Sequence, residues 1–354
     1  MQIAICLYGF GNVGREFVRL LNRKAPYLKS RHGLEPRVVS IVTRKGGIRA
    51  ESGIDCPVLV NLANAGTLSD QEGFVGGDPS DLDAWLPPMR EGDVRVLVDA
   101  TWSDLDTGEP ALSRLKDAAR RGCHLVTLNK APLVADFDGM AQVARESGVC
   151  LKFSGAAAAG LPAIDTVRVS LAGAQVDSIE GVLNSTTNYI LTAMSDDGLS
   201  YEEALRRSRA MGLAETQPER DVSGIDTACK ILILANAAMG ARKRLGDVKV
   251  TGITEVTSRE IAYWAVQGRT LRLIGRAVRT ADDVSIEVKP TPVPYKDFLA
   301  QVTGDSKGVR FTTDVFGELT IVGGSGGPSA AASSALKDLI NLAKAVGGEQ
   351  GHIS

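Results

Sequence analysis

Histidine is scarce, with only His32, His124 and His352 in 354 residues, and none has zinc-ligand spacing or completes a Ser-His-Asp arrangement. His124, at the start of an apolar run, is expected to be structural, and His352 lies in a terminal tail. The five cysteines (Cys6, Cys56, Cys123, Cys150, Cys229) are far apart, with no CxxC pair. Several fall inside apolar runs, which points to free thiols in a reducing compartment and hence to the cytoplasm. No stretch approaches the ~18 apolar residues of a membrane span. The N-terminus, MQIAICLYGFG, has no basic leader or cleavage site, so it reads as a strand and not a signal peptide. Net charge is −2 with lysine and arginine scattered, and no basic stripe marks a nucleic-acid groove. Neither tandem repeats nor low-complexity tracts occur.

What is present is a chain of ordinary globular composition, 44% hydrophobic and 23% charged, long enough for about two domains. The apolar run Gln2–Tyr8 enters Gly9-Phe10-Gly11-Asn12-Val13-Gly14 and then a helical pattern, Arg15–Asn22. Strand, G-x-G-x-x-G and helix in that order form a dinucleotide fingerprint, although a plain tight turn would carry the same glycines. Gly9 would make the turn, Gly11 would admit the pyrophosphate, and Gly14 would let the helix pack on the strand. A second strand, Arg37–Thr43, ends in Thr43-Arg44-Lys45, where an acidic residue would normally meet an NAD ribose. Cations there suit a 2′-phosphate, so NADP is expected over NAD; two exposed basic loop residues are the alternative. Further strands are expected at Val94–Ala100 and His124–Leu128, with a helix at Leu112–Arg120 between them, giving a parallel sheet. Thr101 and Lys130 then stand at carboxyl ends of strands, the edge where ligands bind. Gly46–Pro88 is expected to be an irregular excursion with one helix at Asn61–Ala65.

The small-residue stretch Ala156–Gly160 suggests a hinge or a close backbone approach. Beyond it, Thr166–Leu171 reads as helix and Val176–Asn184 as strand. Ser185-Thr186-Thr187-Asn188 is a polar set ahead of a helix at Tyr189–Met194, able to cap that helix or to hold a small polar substrate. After a helix at Tyr201–Met211, the segment Gly212–Lys230, GLAETQPERDVSGIDTACK, sets Glu215, Asp221, Asp226 and Lys230 before the apolar run Ile231–Leu234. Asp226 and Lys230 are i,i+4 and share a helix face. Carboxylates placed for an ammonium and a lysine placed to move a proton would explain the segment; a solvated turn with an ion pair would also do so. A helix at Ser258–Gln267 and strands at Thr270–Val278, Val284–Pro290 and Thr312–Val322 follow. Gly323–Gly327 precedes a last helix, Ala330–Val346, which could return to the first domain.

With these pieces placed, the chain resembles homoserine dehydrogenases along nearly its whole length. The resemblance is carried by GFGNVG, DATWSDLDTGEP, VTLNKAPL, GVLNSTTNYIL, GLAETQPERDVSGIDTACK, VTGIT and GGSGGPSAAASSALKDL. It implies an α/β fold: a Rossmann-type nucleotide domain at 1–155, an α+β substrate and dimerisation domain at 156–322, and a C-terminal segment, 323–354, returning to the first domain. It implies NAD(P)-dependent interconversion of L-homoserine and L-aspartate 4-semialdehyde in threonine and methionine biosynthesis, by a homodimer with a small-molecule substrate and no membrane partner. Lys130 and Lys230 match the lysines proposed for catalysis in that family. Glu215, Asp221 and Asp226 match its substrate-binding acids, with Asn184, Thr186 and Thr187 lining the same cleft. Gly9 to Gly14, Arg44, Thr101, Lys130, Gly212 and Gly327 are the cofactor-binding candidates.

Neither a kinase domain before Gly9 nor an amino-acid-sensing domain after Ser354 is expected, and hence no threonine inhibition. Three departures stand out. Ser154-Gly155 replaces a Glu-Ala pair whose glutamate helps bind a structural monovalent cation, so that site is not expected here. Gln217 replaces an aspartate, and Ala331 a threonine. These departures keep open a paralogous dehydrogenase acting on another short amino alcohol, aldehyde or hydroxy acid. A non-catalytic NADP(H) sensor is a third reading, against which the retained lysines and carboxylates speak.

Overall fold

Strand β1 (Gln2–Tyr8) has six of its seven residues buried, the continuous apolar run of a strand covered on both faces. It lies between β2 (Glu35–Thr43) and β5 (Asp93–Asp99), parallel to both. Strands β6 (His124–Thr127) and β7 (Leu151–Lys152) extend the parallel sheet beyond β5. The computed structural model describes residues 1–64, 67–86, 90, 92–214, 218–324 and 326–348. Two compact units divide it: Met1–Ala156 together with the chain from Pro328, and Ala157–Gly327.

In the first unit the segment expected to be irregular is better ordered than its composition suggested. It holds a helix at Cys56–Asn64 and two short strands, β3 (Gly46–Arg49) and β4 (Phe74–Gly76), which pair antiparallel next to β2. The sheet order is β4-β3-β2-β1-β5-β6-β7. Glycine hides these strands from a reading based on apolar alternation. A Cβ at Gly46, whose φ is 128°, would stand 2.1 Å from the Val75 carbonyl oxygen, so the close pairing of β3 with β4 requires glycine there.

The helix after the glycine loop runs from Asn12 to His32, ten residues past its expected end. Pro26 lies inside it and removes one i→i−4 bond, to Asn22, where the sequence pattern stops. The last helix, Gly327–Val346, sends Ala332, Ala335, Leu339 and Leu342 into the same core as Ile3, Ile5 and Phe17. The chain from Pro328 therefore completes the core of the first unit.

The stretch expected as a hinge is a short helix, Ser154–Ala158, with Ala156 to Ala158 buried. Alanine favours the helix and packs closely. The two units divide within this stretch, and the Gly160 carbonyl oxygen would stand 2.6 Å from a Cβ at Gly324, the close backbone approach that is the other expectation. In the second unit a six-stranded sheet has the order β13-β12-β8-β10-β11-β9. Its strands are β8 (Val176–Val182), β9 (Lys249–Val250), β10 (Arg269–Arg279), β11 (Val284–Pro294), β12 (Lys307–Thr313) and β13 (Gly317–Gly323). The last strands, expected at Thr312–Val322, are the β12–β13 hairpin, which begins earlier, at Lys307. The helix after β8 begins at Ser185 and not at Tyr189, so the polar set forms its first turn.

Candidate active site

The glycine loop sits between the carboxyl ends of β1 and β5, where the sheet order switches direction and nucleotides bind in such folds. Gly9 takes a left-handed φ of 90°, and a Cβ there would stand 2.5 Å from the Ala100 carbonyl oxygen. At Gly14 a Cβ would meet the Gly9 oxygen at 2.1 Å, so this turn cannot close with a side chain at either position. Gly11 faces open space and precedes the helix without a side-chain cap. Its exposed helix amides suit a pyrophosphate. A cavity of about 810 Å³ opens here, lined among others by Phe10, Gly11, Asn12, Arg15, Pro328 and Ser329. Arg15 is oriented by the Phe10 carbonyl at 3.1 Å. These features fit a dinucleotide.

Arg44 and Lys45 form the exposed two-residue turn between β2 and β3. The Gly9 amide donates to the Val42 carbonyl at 2.9 Å, which ties the glycine loop to the end of the strand that carries Arg44. Thr101 follows β5 and donates its hydroxyl to Asp99 at 2.6 Å, while Arg114 donates to both Asp99 (3.0 Å) and Thr101 (2.9 Å). The Asn129 amide reaches Ser103 at 2.9 Å and Thr101 at 3.3 Å, and its oxygen accepts from the Ala131 amide. Lys130 is therefore held between two anchored residues. At His124 the Nδ1 accepts from the Cys150 amide at 2.9 Å, and burial lowers its pKa, consistent with a neutral structural imidazole.

In the second unit the polar residues converge. Asn184 donates one amide proton to Asp221 at 2.7 Å and the other to Asp226 at 2.8 Å. Its oxygen caps the Ser185–Asp196 helix through the Thr187 amide at 2.9 Å and also accepts from the Thr187 hydroxyl at 3.1 Å. The polar atoms of Asn184 are thus spent inside the cluster, with Thr187 in support. Thr186 donates its hydroxyl to the Leu213 carbonyl at 3.1 Å. Lys230 closes the arrangement, donating to Asp226 at 2.5 Å and to the Leu183 carbonyl at 2.8 Å. Gly212, with a φ of 71°, ends the Tyr201–Ala210 helix, and Gly327 begins the last one. Glu215 and Gln217 lie outside the described residues.

Burial, and then the neighbouring charge of Asp226, raise the pKa of Asp221 above the ordinary carboxylate value. A carboxyl whose folded pKa exceeds its unfolded one makes the ionised form costly in the fold. That cost is present at neutral pH and is relieved as pH falls through the folded pKa. Asp221→Asn is therefore expected to raise the melting temperature at pH 7, with the gain shrinking on acidification. A variant less stable at pH 7 than at pH 4, relative to wild type, would show the opposite sign.

Three groups escaped the sequence reading. Asp99 and Arg114 form a buried pair whose partners are separated by fifteen residues of loop and helix, so neither stands out locally. Lys307 opens β12 with only 4% of its surface exposed. A lysine entering a strand that continues Gly-Val-Arg-Phe was the one available signal.

A family model described as homoserine dehydrogenase matches residues 162–340. The homoserine dehydrogenase of Methanocaldococcus jannaschii is 35% identical over 96% of this chain and 98% of its own length. The chain belongs to the homoserine dehydrogenase family. A relative from Pseudomonas canavaninivorans, named as an NAD(+)-dependent homoserine dehydrogenase, is 30% identical over 99% of both chains. The solved homoserine dehydrogenase from Thiobacillus denitrificans superposes with a TM-score of 0.83 at 26% identity, over 99% of this chain and 75% of that one. The protein is thus an NAD(P)-dependent oxidoreductase built from a Rossmann unit and a second α+β unit.

The monovalent cation implied for homoserine dehydrogenases does not fit at Ser154. Its hydroxyl donates to Asp338 at 2.8 Å and accepts from Lys337 at 2.8 Å, and its amide donates to the other Asp338 oxygen at 2.8 Å. Ser154 is 3% exposed and Asp338 is fully buried, so the hydroxyl is committed to this network. Among the described residues no group of three or more His, Cys, Asp or Glu could hold a metal ion.

Proposed function

We propose that the protein interconverts L-homoserine and L-aspartate 4-semialdehyde with NADP as the preferred cofactor, as a cytoplasmic homodimer serving threonine and methionine biosynthesis. The observation that supports this reading best is the tethered set Asn184, Asp221, Asp226 and Lys230. It couples anions suited to an α-ammonium with an ammonium suited to an oxygen that changes charge. When bound, the nicotinamide supplies or accepts the hydride. The protein fixes the geometry and excludes water.

Lys230 donates a proton to the carbonyl oxygen in the reducing direction and recovers it in the oxidising one. Asp221 and Asp226, with Glu215, hold the substrate ammonium, and Asn184, itself held by Thr187, keeps Asp221 and Asp226 in place. Lys130 is a positioning and electrostatic group for the reacting carbon. The glycine loop, Thr101, Gly212 and Gly327 serve the cofactor, and Arg44 its 2′-phosphate.

NADPH oxidation with L-aspartate 4-semialdehyde, repeated with NADH, tests the reading. Rapid turnover with NADPH is expected; NADPH binding without oxidation would favour a paralogous substrate. Arg44→Ala is expected to raise KM for NADPH about 10-fold, the scale of one hydrogen bond to a charged group, and to leave NADH kinetics unchanged. Equal effects on both cofactors would remove Arg44 from 2′-phosphate recognition.

A further inference from the structure

Lys307 has no part in the reaction described above, yet it is one of the most thoroughly buried cations of the second unit. It stands at the first position of β12, opposite Gly323 on β13 and one residue beyond the Gly308–Val182 pair of β12 with β8. The next residue of that chain, Leu183, gives its carbonyl to Lys230, so the two lysines enter the same end of the sheet. The Lys307 ammonium donates to the Ala159 carbonyl, just past the end of the Ser154–Ala158 helix. Carbonyls at a helix end carry partial negative charge, and a cation there is favourable.

A buried ammonium is costly, and a methionine would fill the same volume without that cost. Burial, and then repulsion from Lys230, lower the Lys307 pKa to about 8, while Asp226 and the exposed Asp305 oppose the shift. A lysine kept under those conditions needs a reason, and charge balance supplies one. The Asp226 carboxylate favours the charged form of Lys307, which enters the same end of the sheet as Lys230, the ion-pair partner of Asp226. The residue before it, Ser306, is itself fixed by the buried Asn188 amide, which donates to the Ser306 carbonyl at 3.2 Å and to the Val302 carbonyl at 3.0 Å.

We propose that Lys307 is a built-in cation: its ammonium caps the Ala159 carbonyl and offsets the Asp226 carboxylate, a charge that a soluble monovalent ion would otherwise have to provide. Lys307 is thus a positioning residue, and it rests on the reading of the Asp226–Lys230 cluster as the reacting site.

The test compares potassium, ammonium and tetramethylammonium chloride at constant ionic strength, reading turnover and melting temperature. Wild type is expected to change by less than about 2-fold between salts, since no ion is needed. Lys307→Ala should lose at least ~10-fold in tetramethylammonium, the scale of one hydrogen bond to a charged group, and recover in potassium or ammonium. Its melting temperature should rise by roughly 2–4 °C with the small ions, which occupy the vacated space. Lys307→Met leaves no space, so it should lose turnover in every salt and melt no lower than wild type.

A wild type that requires potassium or ammonium overturns the proposal. So does a fully active Lys307→Ala in tetramethylammonium, or a folded Lys307→Ala that no cation rescues. If that variant folds only when a small cation is present, folding is itself the rescue; failure to fold in every salt counts against the idea. Should wild type turn over no amino aldehyde, the reading of the reacting site falls, while the melting curves still decide the role of Lys307.

Discussion

Lys230→Ala is expected to lower turnover by at least ~10²-fold, the low end for a general acid–base group, while NADPH binding is unchanged. The expectation follows from how the lysine is held. An ammonium has three protons to donate. Lys230 gives one to Asp226 and one to the Leu183 carbonyl, which fixes the nitrogen; in the proposed mechanism the third goes to the substrate oxygen. Reduction of an aldehyde places negative charge on that oxygen, and a pre-positioned cation stabilises it without reorganisation. Cofactor binding is the control, because the glycine loop belongs to the other unit. Lys230→Arg separates two roles. Arginine keeps the charge but cannot release a proton near neutral pH, so activity retained in that variant would mean electrostatic help alone. Near-normal turnover in Lys230→Ala would remove the residue from the mechanism.

The parts of this arrangement that were legible in the sequence are local ones. The strand, glycine loop and helix from Gln2 onward announce themselves by spacing, because a close turn accepts so few residue types. Asp226 and Lys230 are one helical turn apart, so their pairing needs no tertiary knowledge. Elsewhere the signal was real but pointed the wrong way. Glycines at 46 and 47 suggest an irregular segment and are strand. The helical pattern stops at Asn22, yet the helix runs through Pro26 to His32. In each case packing overrode a local preference. Asp99, and the setting of Lys307, are hidden for another reason. Their partners, Ala159 and Arg114, are brought to them by the fold, and residue type alone does not reveal a buried charge.

Asp99→Ala should lower stability by about 3–5 kcal/mol, because removing one partner of a buried pair leaves the other charge uncompensated. At roughly 2–4 °C per kcal/mol for a unit of this size, the melting temperature should fall by roughly 10 °C. The side chain of Arg114 is 5% exposed and that of Asp99 is 0% exposed. Arg114 lies 4.5 Å above the Tyr8 ring and its buried Nε has no hydrogen-bond partner, so without Asp99 its charge is left facing the ring and the Thr101 hydroxyl. The double variant Asp99→Leu with Arg114→Met should cost less than Asp99→Ala alone, since it removes the stranded charge together with the pair. Function should follow the same wiring. Asp99 holds Thr101, Thr101 accepts from Asn129, and Asn129 anchors the start of the helix at Lys130. Where Asp99→Ala is still folded, kcat is therefore expected to fall through Lys130 and the Kd for NADPH to rise through Thr101. Thermal unfolding and steady-state kinetics on the same samples decide the point. A loss of under about 1 kcal/mol would mean that Arg114 finds another partner, and that the buried pair is not what holds Lys130 in place.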